Sequence, residues 1–175
     1  MAISKKVCLL GDFAVGKTSL VRRFVYDRFD DRYMSTIGVK VSRKAVAVPV
    51  SGTVVDVNLL LWDLAGSEEF TRMQASYLRG AAGAILVADA TREETLEDLR
   101  EYVTNLRQVS PAAVIALAFN KVDLVEDMGS LLPSVEEAAS TFGANTYPTS
   151  ALTGERVEDL FRDLAGLTLG MSRAV

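Results

Sequence analysis

Gly11-Asp12-Phe13-Ala14-Val15-Gly16-Lys17-Thr18 is the stretch that decides how this chain is read. It fits GxxxxGK[ST] at every fixed position. An apolar run at residues 7–10 precedes it, and helical spacing follows over residues 16–28. A loop with glycine at both ends can wrap its backbone N–H groups around a phosphate chain at a helix N-terminus. Lys17 then adds a point charge for the β- and γ-phosphates, and Thr18 a hydroxyl for Mg2+. The string between strand and helix points to a nucleoside triphosphate and leaves the base open.

Working outward, residues 39–50 and 53–62 alternate like strands, and Ser51-Gly52 between them is a hairpin turn signal. Residues 83–88 and 112–119 are continuous apolar runs, as parallel strands covered on both faces require. Leu96, Leu99, Val103 and Leu106 recur at helical spacing, with Glu93, Glu94, Glu97 and Arg100 on other faces. Val157, Leu160, Phe161, Leu164 and Leu167 do the same for a last helix, expected to open at Thr153-Gly154-Glu155. Strand and helix alternate without repeats or Pro-rich linkers, which predicts one α/β domain with a mostly parallel sheet and one antiparallel hairpin.

Composition narrows the chemistry. The 175 residues include no His and a single Cys, Cys8. Ser-His-Asp triads, imidazole shuttles, His-type zinc sites, disulfides within the chain and CxxC redox pairs are therefore excluded. Carboxylates, hydroxyls, Lys, Arg, backbone amides and a hard metal ion remain. Cys8, inside the first strand, is expected to act as a buried small hydrophobe, and Trp62 as core or partner-facing surface. Residues 1–60 carry ten Lys/Arg and five Asp, whereas residues 61–175 carry nine Lys/Arg and eighteen Asp/Glu. No run of five or six basic residues occurs and aromatics are not interleaved with the basic positions, so this asymmetry predicts a phosphate-facing basic half and solvated acidic helices, with no nucleic-acid partner. Ala2 stands where myristoylation needs glycine, and GLTLGMSRAV carries no prenylatable Cys. With no apolar stretch near membrane-spanning length, the expectation is a cytoplasmic protein with no direct membrane anchor.

Three further motifs gain meaning from the first. Leu60-Leu61-Trp62-Asp63-Leu64-Ala65-Gly66 puts Asp63 at the end of a predicted strand, where it can hold Mg2+ through water. The Gly66 N–H can then face a γ-phosphate. Thr36 offers a second hydroxyl. Asn120-Lys121-Val122-Asp123 follows an apolar strand at the sheet edge where such folds bind ligands. A carboxylate there can accept two hydrogen bonds from guanine, at N1–H and the exocyclic amine, which adenine does not offer. Thr149-Ser150-Ala151 would bring a backbone N–H near guanine O6.

Together these residues resemble the Ras-like small GTPases over almost the whole chain. Ser35-Thr36-Ile37-Gly38-Val39, Trp62-Asp63 and Ser76-Tyr77-Leu78-Arg79-Gly80-Ala81 are most similar to the Rab-like branch. The resemblance implies a P-loop NTPase fold: one domain over residues 1–175, a six-stranded mostly parallel sheet with one antiparallel hairpin strand, and helices on both faces. It carries phosphate contacts onto Phe13, Ala14, Val15, Gly16, Lys17, Thr18 and Ser19. Base contacts fall on Phe29, Asn120, Lys121, Asp123, Ser150, Ala151 and Leu152, and Tyr33, Thr36 and Gly66 close over the nucleotide. Thr18, Thr36 and Asp63 would hold Mg2+. Residues 29–41 and 63–77 would order around the γ-phosphate, relax on hydrolysis, and present the surface for effectors and an activating protein.

Three departures qualify that picture. Lys17, Thr36, Gly66 and Ser67 occupy the catalytic positions, but Ser67 stands where the family has a water-orienting Gln. Ser is shorter and lacks the amide's paired donor and acceptor. Phe13 stands where the family has a small residue, and a ring there would crowd an incoming arginine finger. Leu152 stands where the family's motif continues with Lys. The expectation is GTP and GDP binding with slow intrinsic hydrolysis. Glu68, Glu69 and Arg72 are candidates to substitute in cis. A second reading, an interaction module that signals by nucleotide occupancy without useful hydrolysis, fits the same motifs. A P-loop kinase or ATPase would require Asn120 and Asp123 not to read a base.

Overall fold

The computed structural model describes residues 3–30, 32, 36–66 and 71–171, with residues 71–74 described by backbone alone. Chain order is β1 (Ile3–Leu10), α1 (Lys17–Tyr26), β2 (Val39–Val50), β3 (Thr53–Leu64), α2 (Thr71–Leu78), β4 (Gly83–Asp89), α3 (Glu94–Glu97), α4 (Leu99–Val109), β5 (Val114–Asn120), α5 (Leu132–Phe142), β6 (Asn145–Thr149) and α6 (Val157–Thr168). The strands form one six-stranded sheet in the order β2-β3-β1-β4-β5-β6. β2 runs antiparallel to β3, and every other neighbouring pair is parallel.

Period-two alternation assigns the faces. Val7 and Leu9 of β1, with Ile85 and Val87 of β4, meet α1 and α6 through Leu20, Phe24, Leu160 and Phe161. Cys8 and Leu10, with Leu86 of β4, meet α2, α4 and α5 through Leu78, Leu99, Leu106 and Phe142. β4 is buried at all seven positions because helices cover both its faces. Each large apolar side chain taken fully out of water contributes about 1.5–3 kcal/mol. Cys8 is fully buried and burial pushes its thiol up to about 11, as a small hydrophobe in a strand should behave. Trp62 is half-buried, with the Lys6 ammonium 3.9 Å from its ring centroid.

Ser51 and Gly52 both have positive φ, 47° and 83°, which gives the tight two-residue hairpin between β2 and β3. Several boundaries differ from the sequence reading. α1 stops at Tyr26 because Asp27 turns left-handed (φ 51°) and its N–H caps Arg23 O. The heptad-like run from Leu96 is two short helices meeting at Asp98. The first is tied to β4, since Asp89 N–H donates to Thr95 Oγ1 (2.9 Å), which donates to Arg92 O (2.7 Å). α6 begins at Val157, because residues 150–155 close a turn of their own through Ser150 N–H to Glu155 O.

The helices after β1 and β4 leave toward opposite faces, which opens a crevice at the carboxyl ends of the central strands. The registers bring the motif residues to that edge: Leu9 lies level with Asp63, Asp89 with Asn120, and Asn120 with Thr149. Among the described residues no helix is long and apolar enough to cross a membrane.

Candidate functional site

A cavity of about 600 Å³ runs along this edge, a size typical of small-ligand sites. Phe13, Ala14, Gly16, Lys17, Thr18 and Ser19 line one end, and Asn120, Lys121, Asp123, Ala151 and Leu152 the other; Phe29, Thr36 and Gly66 are also on the wall, with Arg22 and Arg32 among the further lining residues. Val15 and Ser150 are buried and act from behind it. Tyr33, Ser67, Glu68 and Glu69 lie outside the described residues, as does the side chain of Arg72.

At the first end, the Lys17 ammonium donates to Gly11 O and Asp12 O, both at 2.7 Å. Burial pulls it down to about 8, against the opposing pull of Asp63 and Asp12. A cation buried among carbonyls at a helix N-terminus is matched to an anion such as a phosphate. Gly16 has φ +103°, and a Cβ there would fall 2.3 Å from Asn120 Nδ2. Gly16→Ala combines a strained backbone with a clash against a buried side chain. It is expected to cost about 2–3 kcal/mol, a fall in melting temperature of roughly 4–12 °C. Thermal unfolding of the purified variant measures it. Gly66 is constrained differently: a Cβ would lie 2.6–2.8 Å from the backbone of residues 11–13, so the DxxG segment rests directly on the phosphate loop.

Thr18 and Thr36 stand together although 18 residues apart, their hydroxyl oxygens separated by 2.6 Å, and Thr18 Oγ1 donates to Asp63 Oδ2. The second carboxylate oxygen, Asp63 Oδ1, is buried with no hydrogen-bond partner among the described residues. Burial pushes the Asp63 carboxyl up, opposed by the Thr18 hydroxyl and by Lys17. An orphaned buried oxygen beside two hydroxyls is a hard-oxygen donor set, and it fits Mg2+, which typically takes one or two carboxylates and completes its shell with waters and phosphates. Among the described residues no group of three or more His, Cys, Asp or Glu is placed to hold a metal ion; this set joins two hydroxyls to one carboxylate.

At the second end, the motif residues divide their labour. Asn120 Nδ2 donates to Val15 O at 3.0 Å, and Thr149 Oγ1 donates to Asn120 Oδ1 at 3.2 Å. Its amide therefore braces the phosphate loop against β6. Lys121, itself left-handed at φ 68°, donates to Ala14 O at 2.8 Å. Asp123 faces the cavity, with Ser150 Oγ donating to its Oδ1 at 2.6 Å. Arg23 holds the loop after β6, donating to Ala151 O at 2.8 Å and Leu152 O at 2.6 Å.

Sequence reasoning missed Asp89, which has no motif around it. Its only outward sign is an acid at the end of a strand that is otherwise apolar. Its side chain is 1% exposed and pairs with Lys121 at 2.6 Å and Arg92 at 3.3 Å. Burial works to raise its carboxyl, but hydrogen bonds from Lys121 and Thr91 outweigh burial and hold it below its ordinary 3.8. A carboxyl depressed on folding contributes stability that is complete above the unfolded value and lost as the pH falls through the folded one. Asp89→Asn is therefore expected to flatten the acid limb of stability. Melting temperatures followed from about pH 5 down to about pH 2 should drop less steeply than in the unsubstituted protein.

The sequence profile of the Ras family matches residues 6–169. Ras-related protein Rab-31 of Homo sapiens is 38% identical over 167 residues, covering 94% of this chain and 84% of its own length. Ras-related protein Rab-22A of Homo sapiens is 38% identical over 161 residues, covering 91% and 81%. GTP-binding protein ypt5 of Schizosaccharomyces pombe is 38% identical over 167 residues, covering 94% and 78%. A match of this extent, laid over a sheet of the same plan, means that the chain belongs to the Ras family of small GTPases, on its Rab-like branch.

Proposed function

We propose that residues 1–175 form one GTPase domain that binds GTP and GDP with Mg2+, switches between two states, and hydrolyses GTP slowly. The observation that carries this is one continuous cavity with a buried Lys17 at one end and a Ser150-fixed Asp123 at the other. Its ends suit a phosphate chain and a guanine respectively. Thr18, Thr36 and Asp63 would hold the ion, which when bound neutralises charge on the β- and γ-phosphate oxygens. Lys17 then stabilises the same developing charge, and the Gly66 N–H orients the γ-phosphate. Asp123 accepts from guanine N1–H and its amine, while Leu152 and Phe29 supply apolar contact to the base. Ser67 replaces the group that would orient the attacking water, and this supports slow turnover.

Effectors and an activating protein would engage residues 29–41 and 63–77. Ile37 and Val41 are 91% and 52% exposed there, apolar side chains in water on a segment that also reaches the γ-phosphate end. The site is a cytoplasmic one in this reading. The test is to identify the nucleotide that copurifies and follow its hydrolysis in a single turnover with Mg2+. Bound GTP or GDP, displaced by GTP but not ATP, is the expected result; copurifying ADP or ATP overturns it. Ser67 also favours a second reading, signalling by occupancy alone, and turnover with and without cell extract separates the two.

A further inference from the structure

Ala14 sits in the phosphate loop with φ +60°. A residue with a Cβ enters this left-handed region only at a cost, whereas glycine enters freely. The backbone conformation of one residue is the relative orientation of the two peptide planes beside it. One of those planes carries Phe13 O, and the other carries Ala14 O. Arg92 Nη2 donates to Phe13 O at 2.7 Å, and Lys121 Nζ donates to Ala14 O at 2.8 Å. Both planes beside the strained residue are therefore held, each by a cation.

The two cations share one anchor. Asp89 Oδ2 lies 2.6 Å from Lys121 Nζ and 3.3 Å from Arg92 Nε. Asp89 Oδ1 accepts the Thr91 N–H at 2.9 Å and its hydroxyl at 2.7 Å. The carboxylate is buried and occupied on both oxygens, so it cannot swing without abandoning four interactions. Arg92 is only partly buried, and it reaches 79 residues back along the chain to the loop. An arginine placed only to solvate a surface would have no reason to take a loop carbonyl at that distance and geometry.

We propose that Asp89 and Arg92 are positioning residues of the nucleotide site, which with Lys121 clamp Ala14 in its left-handed conformation and so hold the phosphate loop open for a phosphate chain. Anion-binding nests arise where right- and left-handed residues alternate, because their N–H groups then converge. Letting Ala14 relax to negative φ would turn a peptide plane and spoil that convergence. This rests on the guanine-nucleotide reading of the cavity.

The experiment is a double-mutant cycle. Release of preloaded N-methylanthraniloyl-GDP is followed in excess Mg2+ for Arg92→Met, which keeps the apolar stem, alone and combined with Ala14→Gly. Arg92→Met is expected to speed release about tenfold with alanine at position 14, the order of one charge-assisted hydrogen bond on a partly exposed group. With glycine at position 14 the same substitution should change release by about twofold or less, since glycine needs no restraint there. Arg92→Lys should fall with Arg92→Met, because one ammonium cannot span both Asp89 and Phe13 O. Equal acceleration in both backgrounds, or none, overturns the clamp. The same cycle is read in the melting temperature of nucleotide-free protein, where coupling between positions 92 and 14 supports the clamp and additivity overturns it. If the unsubstituted protein fails to retain the GDP analogue, the guanine-nucleotide reading falls and the melting cycle alone decides the clamp.

Discussion

Asp123→Asn is expected to weaken GDP and GTP binding by about 10²–10⁴-fold and to transfer the preference to xanthine nucleotides. The carboxylate offers two acceptor oxygens, and guanine offers two donors in a row, N1–H and the exocyclic amine. Hydrogen bonds to a charged group contribute about 1.5–3 kcal/mol each and neutral ones about 0.5–1.5, so losing the bond to the amine, leaving that donor unpaired and weakening the bond to N1–H together span the stated range. The direction of the switch follows from Ser150. Its hydroxyl donates to Asp123 Oδ1 and will keep an acceptor at that end, so the amide oxygen of Asn settles there. The Asn NH2 is then left facing the position of the guanine amine, where it repels a donor and pairs with the C2 carbonyl of xanthine. Adenine gains nothing from the change. Competition of GDP, XDP and ADP against a fluorescent GDP analogue measures all three. Unchanged GDP affinity in the variant would remove Asp123 from base recognition.

The contrast between Asp123 and Asp89 shows what the sequence could disclose. Asp123 belongs to a spaced motif, and a motif survives in sequence because one ligand imposes its geometry on a contiguous loop. Asp89 pairs with the cavity-lining Lys121, yet its partners Arg92 and Lys121 belong to different segments, and only the sheet register of Asp89 with Asn120 brings them together. No spacing rule records that. Asn120 is the intermediate case: the motif marked it as a nucleotide contact, while its amide is engaged with Val15 O and Thr149. Composition at a position does not reveal where a side chain points.

The fold divides on similar lines. β4 and β5 were legible because strands covered on both faces must be apolar throughout, and the hairpin because two successive positive-φ residues need a turn dipeptide such as Ser51-Gly52. α5 was overlooked although Val135, Ala138, Ala139 and Phe142 carry the helical period; alanines make a thin stripe, which weakens the contrast. α2 escapes the sequence for a different reason: residues 71–78 show little apolar periodicity, and they stand out only through the family-like segment 76–81 and the switch expected over 63–77. Helix ends were misplaced where a left-handed residue, Asp27 or Arg156, made the stop or the start. Neither residue is a glycine, so the usual signal was absent.

Ser67→Gln is expected to raise single-turnover GTP hydrolysis by about ten- to a hundredfold, equivalent to about 1.4–2.7 kcal/mol of barrier. The residues proposed for the rest of the machinery stand together: Lys17 is buried at one end of the cavity, Thr18, Thr36 and Asp63 converge, and Gly66 lies against residues 11–13. What this chain lacks at position 67 is a side chain long enough, with both donor and acceptor, to hold a water in line. An arginine finger from a partner would be worth a further 10³–10⁵, roughly 4–7 kcal/mol, and the resemblance expects Phe13 to crowd its entry. That ring is 50% exposed on the cavity wall, so the expected hindrance would be one of access. The two defects separate in one experiment. If Ser67→Gln speeds hydrolysis without a partner, the site is a working catalyst missing its water-orienting group. If the rate stays flat, water positioning was not the bottleneck, and Phe13→Gly in the Ser67→Gln background, assayed with cell extract, becomes the deciding variant. A rate that stays flat there too leaves occupancy, with no hydrolytic reset, as the way this switch signals; fast hydrolysis by the unsubstituted protein would refute the role given to Ser67 from the start.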